Sequence, residues 1–387
     1  MNKWEMKPLG QLCLIERGGS PRPIDKYITD SPDGINWIKI GDTTESMYIT
    51  NTKEKIIPEG MKKSRYVQKG DFLLSNSMSF GRPYILDIDG CIHDGWLVIR
   101  DTHNLFDKRF LYYFLGSPIT YQKFKGMAVG GVVNNLNIDM VKKVEVPVLS
   151  MSEQKEIADS LDKVTALISS RKTQLEKLDL LVKSRFIELF GDTILNPFGW
   201  EKNILGSVCD VRDGTHDSPQ YYETGYPLVT SKNVTGGKID LTGCSLICEA
   251  DFKKINERSK VDIGDIIMPM IGTVGKPVVV DIEPNFAIKN VALIKFKTDS
   301  KVLNIYIRAL LQSDYFDDAV LSKVRGGTQK FISLGDIRKL EVLVPPMEVQ
   351  NQLATFVGQT DKLKLAVQQS IAELEELKKS LMQKYFG

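Results

Sequence analysis

Cysteine is scarce, with five residues in a chain of 387. That number is too few for a disulfide framework. The opening residues Met1-Asn2-Lys3-Trp4-Glu5-Met6 have neither the apolar stretch nor the cleavage-like site of an export signal. A reducing, cytoplasmic location is therefore expected. No apolar run approaches the roughly 20 residues that a membrane-crossing helix needs, so no membrane association is expected. An excess of one charge sign is missing too: Lys+Arg 51 against Asp+Glu 49 leaves a net charge of +2. This balance does not advertise nucleic-acid binding as a strongly basic domain would. It does not exclude it, because acidic helices can offset a basic face. The apolar fraction of 42% excludes a disordered chain.

Catalytic signatures are lacking as well. The one Pro-Pro pair, in Val344-Pro345-Pro346-Met347, lies where a strand gives way to a helix. It reads as a hinge, not as the Asn/Asp-Pro-Pro-aromatic motif of an amino-methyltransferase. Gly272-Thr273-Val274-Gly275-Lys276 falls short of phosphate-loop spacing, and Pro277 removes an N–H donor just after it. Cys244 and Cys248 have no histidine pair nearby, whereas a zinc site needs about four ligands; they read as free thiols. His216, in Gly-Thr-His-Asp, lacks partners in the sequence for a metal or general-base role. It reads as a loop residue or a base contact. Neither catalytic residues nor a metal site are expected in this chain.

What the chain does contain is a copy of itself. Trp4-Glu5 returns as Trp200-Glu201, Leu9-Gly10 as Leu205-Gly206, Cys13 as Cys209 and Phe190-Gly191 as Phe386-Gly387. Each pair is separated by the same 196 positions (4 to 200, 10 to 206, 190 to 386). That step is too long for a solenoid or propeller repeat. It describes one domain plus its tail, written twice, a monomer organised like a two-fold dimer.

Residues 1–150 and 197–346 are mixed regions of short strands, glycines and irregular loops. Strands are expected over 37–40, 72–75 and 96–99, and again over 227–230, 265–268 and 291–294. A short helix follows in each half, over 109–116 and 304–313, then a strand over 144–148 and 340–344. Residues 152–190 contain no Pro or Gly, and residues 348–386 only Gly358. Each is expected to be one long helix, in segments 151–196 and 347–387. Ser152 with Glu153 is the expected start of the first, and Gly191 and Gly387 are the expected caps. Apolar residues recur by sevens: Leu161, Ile168, Leu175, Val182 and Leu189, with Val164 and Leu178 between them. The second series is Leu353, Val367, Leu374 and Leu381, with Phe356, Leu363 and Leu377. This is a coiled-coil seam, interrupted by Arg171, Arg185, Thr360 and Ser370. The fold class expected is α+β: two repeated α/β domains joined by two long antiparallel helices. At 1.5 Å per residue, such a helix is a ruler of roughly 55 Å.

This layout, and several local patterns, resemble the specificity subunit of type I restriction–modification systems. Asp213-Gly214-Thr215-His216-Asp217-Ser218-Pro219, Thr230-Ser231-Lys232-Asn233-Val234 and Gly264-Asp265-Ile266-Ile267 are similar to that family's recurring stretches. So are Gly326-Gly327-Thr328-Gln329-Lys330 and Pro345-Pro346-Met347-Glu348-Val349-Gln350. The first half keeps the frame, in Gly70-Asp71-Phe72-Leu73, Ser79-Phe80-Gly81-Arg82 and Pro147 through Gln154. It departs by having Gly19-Ser20-Pro21 in place of Gly-Thr-His, and Val132-Val133-Asn134-Asn135 in place of Thr-Gln-Lys. The resemblance implies a non-catalytic subunit. Two target-recognition domains each read one part of a split, asymmetric double-stranded DNA target, and the helices set the interval. It also implies two methyltransferase subunits as partners, with restriction subunits added for cleavage. S-adenosylmethionine, ATP and Mg²⁺ would then reside in those partners, with no cofactor in this chain. The competing reading is a scaffold that uses the helices to space two protein partners.

Base edges and phosphates are read by Arg, Lys, Asn, Gln, Ser, Thr and backbone N–H groups. In the first domain the loops rich in these are Arg17 to Arg22 with Ser20, then Asn76, Ser77 and Ser79 with Arg82, then Asn134, Asn135 and Asn137. In the second they are Thr215 with His216, Ser231-Lys232-Asn233, Thr273 with Lys276, and Arg325 with Thr328, Gln329 and Lys330. Phe186 to Phe190 and Tyr385-Phe386 are expected either as partner contacts or as packing against the adjoining domain.

Overall fold

The two halves repeat one hydrogen-bonding pattern. In the computed structural model the described residues are 4–77, 80–128, 135–271, 276–319 and 331–387. They divide into two units, Met1–Arg171 with Ser370–Gly387, and Lys172–Gln369.

In the first unit, Leu14–Arg17 pairs antiparallel with Trp96–Arg100, which pairs on its other side with Phe72–Ser75. Pro83–Leu86 and Tyr48–Ile49 complete this five-stranded sheet. A second sheet has the order Ile28–Thr29, Glu54–Ile56, Ile35–Ile38, Gly90–Ile92, Arg65–Val67, with its one parallel pair between Ile35–Ile38 and Gly90–Ile92. In the second unit, Asp210–Asp213, Val291–Lys295, Ile266–Pro269 and Val278–Val279 follow the order of the first sheet. Tyr226–Val229 again takes a parallel partner, Ala287–Ile288. Strand Glu5–Pro8 pairs with Glu145–Val148, and Glu201–Ile204 with Glu341–Val344, so each domain's first strand closes on its last.

Trp96–Ile99 and Val291–Ile294 are buried at every position. A strand covered on both faces reads as a continuous apolar run and not as an alternation. The strand expected over 37–40 instead runs Ile35–Ile38, because Asp42 takes the Lys39 N–H at 2.8 Å and turns Ile40–Asp42 into a short 3-10 helix. The short helices span Lys108–Leu115 and Asn304–Leu311, the first capped by Asp107 through the N–H groups of Arg109 and Phe110.

The long helices are Met151–Phe190 and Met347–Phe386, 40 residues each. The first is capped by Ser150, two residues earlier than the expected Ser152. Ser150 Oγ accepts the Glu153 N–H at 3.3 Å, while the Glu153 carboxylate accepts the Ser150 N–H at 3.1 Å. Gly191 ends it at φ +69°, a left-handed value suited to glycine. Within the first unit, Ile157, Ala158, Leu161 and Met382 join the core around Phe110 and Phe114. Within the second, Phe186 and Phe190 pack on Tyr306 at 6.0 and 4.8 Å between ring centroids, beside Leu353 and Val357. Lys364 pairs with Asp179 at 2.6 Å, and Arg185 lies over the Phe356 ring at 5.9 Å. One helix advances as the other recedes, so the pair is antiparallel.

The seam differs from the expected one in phase. Leu363 and Leu377 are 56% and 46% exposed, whereas the neighbouring Lys364 and Lys378 are half-buried. A helix with apolar residues on two adjacent stripes buries the stripe its partner covers, and Val367 with Leu353 and Leu374 defines that stripe here. Phe186 and Phe190 are buried in their own unit, while Tyr385 and Phe386 pack half-buried against theirs. Ile187 stays 59% exposed.

Candidate nucleic-acid interface

The loop after strand Leu14–Arg17 is pinned by two backbone bonds, Gly18 N–H to Trp96 O at 2.9 Å and Gly19 N–H to Ile92 O at 3.1 Å. Side chains then converge on the turn His93-Asp94-Gly95. Ser20 Oγ donates to Asp94 Oδ1 at 2.8 Å, Arg22 lies 3.6 Å from Asp94 Oδ2, and Arg17 Nε donates to Asp94 O at 3.0 Å. Asn76 Nδ2 donates to the same carbonyl at 3.0 Å. The Ser20 hydrogen bond holds the Asp94 carboxyl below its ordinary value. The His93 imidazole is also lowered, because burial disfavours its charged form. Ser20, Arg22 and His93 border a groove of about 1020 Å³ whose wall carries the Lys39–Glu54 ion pair.

The second unit anchors its loop in the same way: Gly214 N–H to Val291 O at 3.0 Å, and Thr215 N–H to Ile288 O at 3.0 Å. The side chains on that frame are different. His216 Nδ1 is 2.8 Å from Asn290 Oδ1, and its Nε2 is 2.8 Å from Asp213 Oδ2. Arg258 pairs with the other Asp213 oxygen. Burial raises the Asp213 carboxyl, but the His216 hydrogen bond and the Arg258 charge outweigh it and the net direction is down. His216 moves up, through its bonds to Asn290 and Asp213. Lys289, next to Asn290, donates to Ser218 Oγ at 2.8 Å.

The structure thus brings Arg17, Ser20, Arg22 and Asn76 together around one turn, and Thr215 with His216 around its counterpart. Arg82 and Lys276 are exposed at matching strand starts, and Asn135 and Lys232 are exposed. Ser77 and Ser231 are half-buried. Three asparagines have their side chains engaged in the fold. Asn76 is 1% exposed, Asn137 caps helix Ile138–Lys142 through Met140 N–H, and Asn233 accepts from both Thr230 N–H and Thr230 Oγ. Ser79, Asn134, Thr273, Arg325, Thr328, Gln329 and Lys330 lie outside the described residues. Asp94, Asn290 and Arg258 were not singled out by sequence reading. A carboxylate and a helix-borne arginine carry no local signal of the loop they will meet some 45 to 75 positions away.

The model of the type I restriction modification DNA specificity domain matches residues 1–180 and again 197–376. The chain belongs to this family. Membership makes it the DNA sequence-specificity component of a type I restriction–modification complex, a subunit that is not itself catalytic. Among similar proteins is the type I restriction enzyme MjaIX specificity subunit of Methanocaldococcus jannaschii, 25% identical, covering 98% of this chain and 92% of that one. Another is the type I restriction enzyme EcoKI specificity subunit of Escherichia coli, 23% identical over 99% of this chain and 88% of that one. A solved chain of a type I R-M system shares the fold at TM-score 0.61 and 19% identity, covering 100% of this chain and 98% of that chain. Among the described residues no helix is long and apolar enough to cross a membrane.

Proposed function

We propose that this specificity subunit reads a bipartite, asymmetric double-stranded DNA target. Each recognition domain reads one half, and the pair of long helices sets the interval between the halves. The observation that carries this is the conserved frame with exchanged side chains. The same two backbone bonds anchor both loops, yet one domain presents Ser20, Arg22 and Asp94 on them and the other His216, Asn290, Asp213 and Arg258. Identical frames with different donors and acceptors suit two different base sequences.

Two methyltransferase subunits assemble with the chain for adenine-N6 methylation, and restriction subunits join for cleavage, all in the cytoplasm. S-adenosylmethionine, ATP and Mg²⁺ belong to those partners. The test is co-expression with the partner methyltransferase and single-molecule sequencing of host DNA for methyl-adenine. The expected result is a split motif that disappears on deleting this chain. Exchanging residues 197–346 for those of a relative should change one half of the motif and leave the other. Methylation that persists without the chain overturns the proposal.

A further inference from the structure

His216 faces two oxygen acceptors. Asn290 Oδ1 lies 2.8 Å from one ring nitrogen and the Asp213 carboxylate 2.8 Å from the other. A neutral imidazole carries a single N–H and can donate to one of them; only the imidazolium donates to both. The surroundings fit a cation. Asp213, at the end of strand Asp210–Asp213, supplies the opposing charge, and it is shared with Arg258 from helix Glu249–Ser259. Arg212, on the same strand, is turned away to Asp210 and to the Arg258 carbonyl. Lys289 is engaged with Ser218, and Asp217 follows His216 on its own loop. Asn290 sits at φ +54°, a left-handed position that asparagine tolerates better than most residues, and its N–H is bonded to Thr215 O at 3.2 Å. The turn is therefore built to aim that side chain at the ring.

We propose that His216, held as an imidazolium between Asp213 and Asn290, is the positioning residue of the second domain's reading loop, so that one half of the DNA target is recognised in a proton-dependent way and the other half is not. Loss of the proton releases one of the two contacts and loosens the Thr215–Ser218 loop. Among the described residues the first domain has no equivalent. Its matching contact is Ser20 to Asp94, a hydroxyl on a carboxylate that stays ionised near neutrality. Its nearby imidazole, His93, is kept neutral by burial and accepts the Gly95 N–H. The inference deepens the half-site reading above and rests on it. Raised proton affinity at His216 is consistent with the geometry.

The experiment has two arms. The free full chain contains only three histidines, so ring signals in an NMR pH titration are assigned by comparing it with His216→Gln. The His216 signal should titrate above the ordinary value of about 6.5. A midpoint at or below that value overturns the proposal. In the second arm, the chain in complex with its methyltransferase partner selects from DNA duplexes randomised over about 20 base pairs, at pH about 6 and about 8.5. Discrimination against single base-pair changes should fall about tenfold in one half of the selected motif as pH rises, and hold in the other. His216→Gln should show the weakened half at both pH values. A two-part motif whose halves respond equally, or not at all, overturns this inference alone. Selection of no motif at either pH overturns the half-site reading with it.

Discussion

Gln154 and Gln350 show how much a single residue can hold. Both are fully buried. Gln154 accepts the Asp107 N–H at 2.9 Å and donates to the carbonyls of Leu105 and Leu149. Gln350 accepts the Leu303 N–H at 2.7 Å and donates to Lys301 and Pro345. Each side chain welds the first turn of a long helix to the loop before a short one. Gln350→Ala should cost about 2–3 kcal/mol, since buried backbone groups lose their partners, and the urea midpoint should fall with the slope unchanged. The Gly-Asp pairs have a similar basis. Gly70 and Gly264 sit at φ +90° and +89°, and Asp71 and Asp265 pair with Arg100 and Lys295 on the neighbouring strand. These motifs were legible as a repeated frame, but their hydrogen bonds were not. Asp94 is the recognition loop's counterpart. Asp94→Ala releases Ser20 and Arg22 and should weaken base discrimination about tenfold in the first domain's half of the methylated motif, leaving the other half intact.

At the scale of elements, the strands and short helices that were expected lie within about two residues of their place because their apolar runs are continuous and bounded by Gly, Asp and Pro, whereas others, such as strands Leu14–Arg17 and Gly90–Ile92 and helix Glu249–Ser259, were not foreseen. The long helices were legible from the lack of Pro and Gly. Which stripe of each helix is buried was only partly so. Leu353 and Leu363 look alike in a heptad count, yet one is fully buried and the other is 56% exposed. Heptad spacing fixes a face only when one stripe is apolar, and the second helix carries two. Leu161→Ala should therefore cost about 2–5 kcal/mol, as expected for a filled core position. Leu363→Ala should stay within about 0.5 kcal/mol. Thermal unfolding of the two variants beside the parent chain checks the contrast, and equal losses would count against the buried stripe described here.

For the whole molecule, a net charge of +2 gave no sign of DNA binding. Composition averages over the surface, whereas DNA meets only a part of it. Arg17, Arg22, Arg82 and Lys276 stand on or beside the candidate loops while many carboxylates are spent in ion pairs such as Asp179–Lys364 and Asp159–Arg109. Affinity of the assembled complex for its duplex should accordingly fall by at least about a hundredfold between roughly 50 and 200 mM salt, measured by fluorescence anisotropy. A flat salt response would contradict phosphate contact. The sequence by itself determined the duplication, the α+β class, the two long helices and the family, because these rest on periodicity, composition and local motif. Tertiary structure alone decided which polar groups meet. Ser20 with Asp94, and His216 with Asp213, Arg258 and Asn290, are joined by strand pairings that link residues as far as 74 positions apart, and nothing in the chain between them records the partner.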